Sequence, residues 1–73
     1  MRIVLNGEAY EFSPAGSPAS GAATVASLTA ALDLDPRKVA VERNLAIVPK
    51  SAYAATAIEE GDRIEIVTFV GGG

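Results

Sequence analysis

The sequence lacks two side chains that often act as nucleophiles, general bases or metal ligands near neutral pH. It contains no cysteine, which excludes a disulfide framework, a thiolate nucleophile and a zinc site built on sulfur. It contains no histidine, which removes the usual general base and the commonest metal ligand. We therefore expect no metal site and no catalytic residue supplied by this chain itself.

Charge and hydropathy argue against two more classes of protein. The net charge is −3 and no basic run occurs, whereas nucleic-acid binding relies on Lys and Arg to neutralise phosphates. No apolar run approaches the roughly 20 residues of a membrane span, and the stretch before Gly7 is too short for a signal peptide. We expect a cytoplasmic protein that binds neither nucleic acid nor a membrane.

The length limits what the chain can enclose. Its 73 residues predict one domain, residues 1–73, and a chain of this size buries only about 60% of the surface that its unfolded form exposes. The larger apolar residues suffice for one modest core. They do not suffice for an additional deep, enclosed pocket of about 300 Å³ or more, so an independent enzyme is the least expected function.

Five segments are predicted as strands because they are rich in β-branched residues or alternate between apolar and polar positions. The first two are joined by Asn6 and Gly7, a pair that tolerates positive φ and is typical of a tight hairpin. In the last segment, Ile64 and Ile66 should face the core. The segments are residues 1–6, 8–13, 38–43, 46–48 and 63–70.

One helix is predicted between the second and third strands. Thr24 is a suitable N-cap, but Ser27 stands where Glu or Gln would complete a capping box, so we predict an incomplete box. The helix should end by residue 33, because Pro36 prevents its continuation. Its predicted buried face consists of Val25, Leu28, Ala31 and Leu32.

Two loops have both a structural and a functional interpretation. Residues 13–23 contain two prolines and two glycines, which predicts a surface insertion rather than a mobile lid. The turn 59–62 carries three carboxylates, but calcium needs six to eight oxygens in a defined geometry. We therefore predict a solvated turn there, and solvated strand-end charges at Glu42 and Arg43.

The element order β-β-α-β-β-β predicts an α+β domain in which one helix packs across a mixed sheet of about five strands. The first two strands are antiparallel because a hairpin joins them. The last strand reaches the core if it inserts centrally, beside the first. This arrangement is the β-grasp, or ubiquitin-like, fold.

The sequence finishes with three glycines directly after an apolar strand. Because glycine has no Cβ, Gly71 and Gly72 could pass through a channel that any side chain would block. They would thereby carry the main-chain carboxylate of Gly73 to a reacting group, at the end of a flexible tail of residues 68–73. The alternative is a frayed terminus that does no chemistry, and the tail alone does not decide between the two.

Three stretches together resemble one known family. They are LNGE at residues 5–8, VAVERN at 39–44 with IVP at 47–49, and GDRIEIVTFVGGG at 61–73. The chain resembles the ThiS family, the sulfur-carrier proteins of thiamine biosynthesis, which have the β-grasp fold. It departs from the family in its longer loop 13–23, and in Leu45 and Ala46, which replace a polar residue followed by Glu.

The resemblance implies a specific chemistry for Gly73. A ThiF-like E1 enzyme would adenylate the Gly73 carboxylate with ATP, and a sulfur donor protein would supply the sulfur for a C-terminal thiocarboxylate. The thiocarboxylate would then give sulfur to the thiazole ring made by a ThiG-like thiazole synthase. ATP would be consumed by the partner, so the chain would bind no cofactor stably and would be a carrier rather than an enzyme.

The residues before the glycines are the predicted partner interface. Val67, Phe69 and Val70 are apolar and adjoin the tail, and apolar and aromatic anchors are enriched at interface cores; the alternative is that Phe69 packs inward. Three other functions remain open. They are a MoaD-like carrier of molybdopterin synthesis, a ubiquitin-like protein modifier, and an interaction domain whose tail does no chemistry.

Overall fold

The computed structural model describes residues 1–13 and 23–69 of the chain. None of the helices in these two ranges is long and apolar enough to cross a membrane. Two short 3₁₀ turns, Pro36–Lys38 and Lys50–Ala52, accompany the regular elements. These elements are β1 (Arg2–Leu5), β2 (Glu8–Glu11), α1 (Val25–Ala31), β3 (Val39–Arg43), β4 (Ala46–Val48) and β5 (Arg63–Thr68).

The strands form one mixed sheet in the order β2-β1-β5-β3-β4. β1 is antiparallel to β2 and parallel to β5, while β3 is antiparallel to both β5 and β4. The last strand therefore lies in the centre of the sheet, between the first and the third. This confirms the predicted β-grasp topology.

The predicted hairpin between β1 and β2 is confirmed. Asn6 and Gly7 have φ angles of 51° and 83°, and Leu5 pairs with Glu8 directly across the two-residue turn. Positive φ at both central positions gives the turn a twist that matches that of the flanking strands. Asparagine and glycine adopt such angles at low cost, which is why this pair specifies the register of the hairpin.

The helix begins as predicted at Thr24, but its capping box is complete. The Ser27 amide donates to Thr24 Oγ1 at 3.1 Å, and the Thr24 amide donates to Ser27 Oγ at 2.8 Å. Our prediction of an incomplete box was wrong because the serine hydroxyl is long enough to reach the N-cap amide. A seven-residue helix is too short to be stable alone, so the cap and the packing of α1 on the sheet maintain it.

The buried face of α1 differs at one position from the prediction. Val25 and Leu28 are fully buried and Leu32 is half-buried, but Ala31 is exposed and Thr29 is buried instead. The positions 25, 28, 29 and 32 follow the i, i+3, i+4, i+7 pattern of one helical face, and residue 31 lies off it. Thr29 is accommodated because its hydroxyl donates to the carbonyl of Ala26 at 2.9 Å.

The core lies between α1 and the inner face of the sheet. Val39 and Val41 of β3 and Ile64 and Ile66 of β5 point into it, as predicted from their alternation. The remaining buried apolar side chains come from the other strands, the helix and the segments beside them. They are Ile3, Phe12, Ala23, Val25, Leu28, Val48, Tyr53 and Ile58.

The hairpin between β3 and β4 contains a backbone strain that the other hairpin lacks. Asn44 and Leu45 have φ angles of 52° and 72°, so a leucine occupies the position where glycine stands in the β1–β2 turn. The left-handed region costs an L-residue with a Cβ roughly 1–2 kcal/mol. The Leu45 side chain is 72% exposed, so little packing offsets that cost.

We expect Leu45→Gly to raise the free energy of unfolding by about 1 kcal/mol, because glycine removes the strain and Leu45 contributes little burial. Urea unfolding followed by circular dichroism measures the change. Ala46→Gly is the matched control in the adjacent strand, where glycine should lower stability by about 0.5–1 kcal/mol. An unchanged or lower stability of Leu45→Gly would contradict the strain.

Candidate functional site

The candidate site is the end of β5 and the residues that follow it. Gly71, Gly72, Gly73 and Val70 lie outside the described residues, so their predicted roles stay predictions. Thr68, which we assigned both to the last strand (63–70) and to the tail (68–73), is the last residue of β5 and pairs with Val39. The predicted boundary at residue 68 was therefore too early, because β3 extends far enough to pair with the strand up to that point.

The backbone remains attached to the sheet one residue further. The Phe69 amide donates to the carbonyl of Lys38 at 2.9 Å, which continues the ladder between β3 and β5. The four residues 70–73 follow this last hydrogen bond. The glycines thus follow a strand that is paired with β1 near its beginning and with β3 along its length.

The beginning of β5 is fixed by a buried carboxylate. Asp62 is 8% exposed; its Oδ2 accepts from Arg43 Nε at 2.7 Å and from the Glu59 amide at 2.8 Å. Its Oδ1 accepts from Asn44 Nδ2 at 3.1 Å, and Asn44 Oδ1 accepts from the Arg63 amide at 2.9 Å. This cluster joins the turn before β5 to the end of β3.

Two of our predictions are corrected by this cluster. The turn 59–62 is not uniformly solvated, because Asp62 points inward to reach donors from the neighbouring strand end. Arg43 is not a solvated strand-end charge, because its guanidinium is held by that carboxylate. A buried carboxylate would be costly if unpaired, and the ion pair with its additional hydrogen bonds offsets this cost.

The environment of Asp62 acts on its pKa in two directions. Burial raises the pKa, but the hydrogen bonds from the Glu59 amide, Arg43 and Asn44 outweigh it, so the pKa of Asp62 lies below its ordinary value of 3.8. A carboxyl whose pKa is lowered on folding stabilises the fold above its unfolded pKa. That contribution is lost as the pH falls through the lowered value.

The middle of β5 is held by the side chain of Asn6. Asn6 Oδ1 accepts from the Ile66 amide at 2.8 Å, and Asn6 Nδ2 donates to the Ile66 carbonyl at 3.3 Å. The parallel pairing of β1 and β5 ends at Leu5 and Ile64. The side-chain amide of Asn6 therefore makes the hydrogen bonds that a further peptide of β1 would make to β5, just beyond the end of β1.

The outer face of the sheet exposes apolar side chains beside the site. Val67 is 60% exposed, Phe69 is 48% exposed, and Ile47 of β4 is 76% exposed. Phe69 is thus not enclosed in the core; Lys50 Nζ lies 5.3 Å from its ring centroid. An open cavity of about 490 Å³ lies on this face, lined by Asn6, Ala40, Val41, Glu42, Ile47, Glu65, Ile66 and Val67.

Our sequence reasoning missed Ile47 as a member of this surface. The outward position of Val67 follows from the inward positions of Ile64 and Ile66, because side chains alternate along a strand. β4 has three residues, which is too short for alternation to show which face Ile47 occupies. The register supplies the answer, since Ile47 pairs with Glu42, whose neighbours Val41 and Arg43 lie on the other face.

The architecture is shared with solved structures. Over the whole of both chains, the fold matches the crystal structure of the thiamine biosynthesis protein (ThiS) from Geobacter metallireducens, with a TM-score of 0.77 at 30% identity. The central last strand and the helix across the sheet thus define a β-grasp protein. The sequence model of the ThiS family matches residues 3–73. The chain belongs to the ThiS family.

Curated relatives fall into two groups. Thiazole synthases from Paramagnetospirillum magneticum and Magnetococcus marinus are 52% and 42% identical over all 73 residues of this chain. The chain spans 20% of the length of each of them. The sulfur carrier protein ThiS of Bacillus subtilis is 44% identical over 50 residues, which are 68% of this chain and 76% of the relative.

We expect Asp62→Asn to lower the free energy of unfolding by about 1–3 kcal/mol at pH 7, because the variant loses the ion pair with the partly buried Arg43. The deficit should shrink as the pH falls below 3.8, since the wild-type carboxyl then becomes neutral as well. Urea unfolding between pH 7 and pH 2 measures both profiles.

Two features make this comparison specific. The pKa of Asp35, which its hydrogen bonds with Arg37 lower to about 2, is common to both proteins, so the difference between the profiles reports Asp62. Glu59→Gln is the matched control because it keeps the amide that donates to Asp62. A deficit that stays constant down to pH 2 would contradict the proposed linkage.

Proposed function

We propose that this chain carries sulfur for thiazole formation in thiamine biosynthesis, with the main-chain carboxylate of Gly73 as the attachment point. The observation that carries the proposal is the placement of the glycines in a ThiS-family chain. They follow the central strand of the sheet, and its last described hydrogen bond, from Phe69 to Lys38, lies four residues before Gly73. The similarity to the Bacillus subtilis sulfur carrier supports the same role.

The proposed chemistry has three steps on Gly73. A free carboxylate is a poor acyl donor, so one of its oxygens attacks the α-phosphorus of ATP; the acyl-adenylate forms and pyrophosphate leaves. The terminal sulfur of a persulfide on a donor protein then attacks the acyl carbon and displaces AMP, which gives an acyl disulfide. A thiol reductant attacks the donor's sulfur and cleaves the S–S bond, so that the thiocarboxylate leaves on Gly73 and the thiol and the donor are oxidised to a mixed disulfide. The chain itself supplies the carbonyl carbon and the conformation of the tail.

We assign the catalysis of these steps to partner enzymes. A ThiF-like E1 enzyme would hold ATP and its phosphates, and positioning and electrostatic stabilisation of such groups are the main demands of this chemistry. A ThiG-like thiazole synthase would accept the sulfur. The thiazole synthases whose sequences match this whole chain support that second partner. In this scheme the chain is a protein co-substrate and not an enzyme.

The corrected tail length limits how a partner can approach. Residues 70–73 follow the last described sheet bond and span at most about 14 Å when extended. An active site that takes Gly73 must therefore come close to the sheet end. Val67 and Phe69 are exposed there, which supports their predicted role as the contact surface.

We expect residues 1–73, incubated with ATP, the activating enzyme and a sulfur donor, to exchange one oxygen for sulfur at Gly73. Intact-mass measurement detects the exchange, and fragmentation localises it. A chain extended beyond Gly73 by an uncleaved tag is the control and should stay unmodified, because its terminal carboxylate is displaced. Loading of the tagged chain, or an unchanged mass of the untagged chain with active enzymes, would overturn the proposal.

We expect Val67→Ser to raise the KM for the carrier in the adenylation reaction about fivefold, because less apolar surface is buried on contact. The kcat should change little, since Gly73 and the tail are unaltered. Pyrophosphate release measures both constants. Leu45→Ser is the control, because Leu45 is also an exposed apolar residue but lies at the far hairpin. An equal effect of both substitutions would contradict a specific contact at Val67.

A further inference from the structure

Among the described residues, no strand pairs with the β1-side edge of β5 at its last residue, Thr68. Toward β1, the Val4 amide donates to the Asp62 carbonyl and the Asn6 amide donates to the Ile64 carbonyl, both at 2.9 Å. The Asn6 side chain then binds Ile66. The alternating peptides of residues 62, 64 and 66 therefore face the β1 side, and the next peptide in this series belongs to Thr68.

The pairing with β3 confirms which way the Thr68 peptide points. The Phe69 amide bonds to Lys38, so Phe69 is in a hydrogen-bonded pair of the antiparallel ladder and Thr68, opposite Val39, is in a non-bonded one. Its N–H and C=O thus point away from β3. Among residues 1–13 and 23–69, no hydrogen bond to either group is present.

A cavity lies beside this open edge. Its volume is about 370 Å³, and its apolar lining comes from three half-buried leucines at the end of β1 and just after α1. Unlike the outer-face cavity described above, it lies on the helix side of the sheet. We call it the edge groove, and its lining residues are Leu5, Asn6, Leu32, Leu34, Ile66 and Thr68.

We infer that the edge groove binds an extended segment of the thiazole synthase, which adds to the sheet as a strand beside Thr68. The inference rests on the proposed function, because it takes the synthase as the receiver of the tail. Strand addition uses main-chain hydrogen bonds for affinity and pockets for alternate side chains for specificity. Thr68 supplies the main-chain hydrogen-bonding groups, and the leucines around the cavity form a pocket for an aliphatic side chain.

Reach along the chain restricts the occupant to an enzyme that holds Gly73, and the relatives of this chain favour the synthase. Gly73 lies five residues after Thr68, at most about 17 Å along an extended chain. An enzyme that holds Gly73 in its active site therefore has surface within this distance of the edge groove. A thiazole synthase also shares one polypeptide with a segment 52% identical to this whole chain, which places such an enzyme next to this kind of domain.

Asn6 defines where the groove begins. Its side chain satisfies the amide and the carbonyl of Ile66, so an added strand cannot pair with β5 before Thr68. The incoming segment is thereby restricted to the last peptide before the tail. A synthase segment bound there would hold the tail in line with β5 as it enters the active site.

We expect Thr68→Pro to weaken binding of residues 1–73 to the thiazole synthase of the same organism at least fivefold, because proline removes the N–H that faces the groove. The substitution removes no bond to β3, and proline is tolerated at a strand edge whose N–H is not in the ladder. Titration calorimetry measures the affinity, and circular dichroism checks the fold. Leu45→Ser is the control and should bind like wild type.

Hydrogen exchange on the wild-type chain tests the groove without a substitution. The Thr68 amide should gain at least tenfold protection when the synthase is added. Unchanged exchange at Thr68, or wild-type affinity of a folded Thr68→Pro chain, would overturn the inference. An equal loss of affinity for the activating enzyme would assign the groove to that enzyme and overturn the proposed occupant.

Failure of the edge groove can be distinguished from failure of the proposed carrier function. If the untagged wild-type chain gains sulfur but synthase binding does not depend on Thr68, the carrier role stands and the edge groove fails. If the chain never gains sulfur but Thr68 becomes protected by the synthase, the groove stands and the carrier chemistry fails.

Discussion

The insertion of β5 between β1 and β3 is the constraint on which the rest of the structure depends. It brings residues 63 and 64 beside residues 4 and 5, so the first and last strands of the described chain lie side by side in the centre of the sheet. Ile64 and Ile66 then complete the core beneath α1. Because such non-local pairing must overcome a large loop-closure entropy, the hydrophobic burial of this one strand and its polar anchors have to act together.

Three polar contacts hold β5 at its beginning, middle and end, and each uses a different chemistry. At the start, the Asp62 carboxylate binds Arg43 and Asn44. In the middle, the side chain of Asn6 binds the backbone of Ile66. At the end, the backbone N–H of Phe69 donates to the carbonyl of Lys38. No buried side-chain polar atom among the described residues lacks a partner. A fully satisfied set of this kind fixes register, since a slipped strand would leave several of these groups unpaired. The same strand that closes the core thereby presents the tail from a fixed point.

Much of this fold follows from the sequence, and what does not follow has a physical reason. Alternation along β3 and β5, the turn at Asn6 and Gly7, and the cap at Thr24 are local signals, and each predicts its element. Asp62 is the carboxylate of the turn 59–62 that points inward, because its donor Arg43 lies nineteen positions earlier in the chain. The charges within the turn alone could not identify it. The end of β5 likewise depends on how far β3 extends. Because Val39 pairs with Thr68, the tail begins after Thr68 and not at it.

Asn6 shows how one position can satisfy two demands that come from different parts of the chain. The hairpin requires a residue that tolerates a φ of 51°, and β5 requires a donor and an acceptor opposite Ile66. Glycine would meet the first demand but has no side chain for the second. Aspartate also tolerates positive φ, but its carboxylate has no proton to donate to the Ile66 carbonyl. Asparagine meets both demands. The hairpin alone would explain its presence, but its side chain also satisfies Ile66, the last peptide of β5 that is hydrogen-bonded on the β1 side among the described residues.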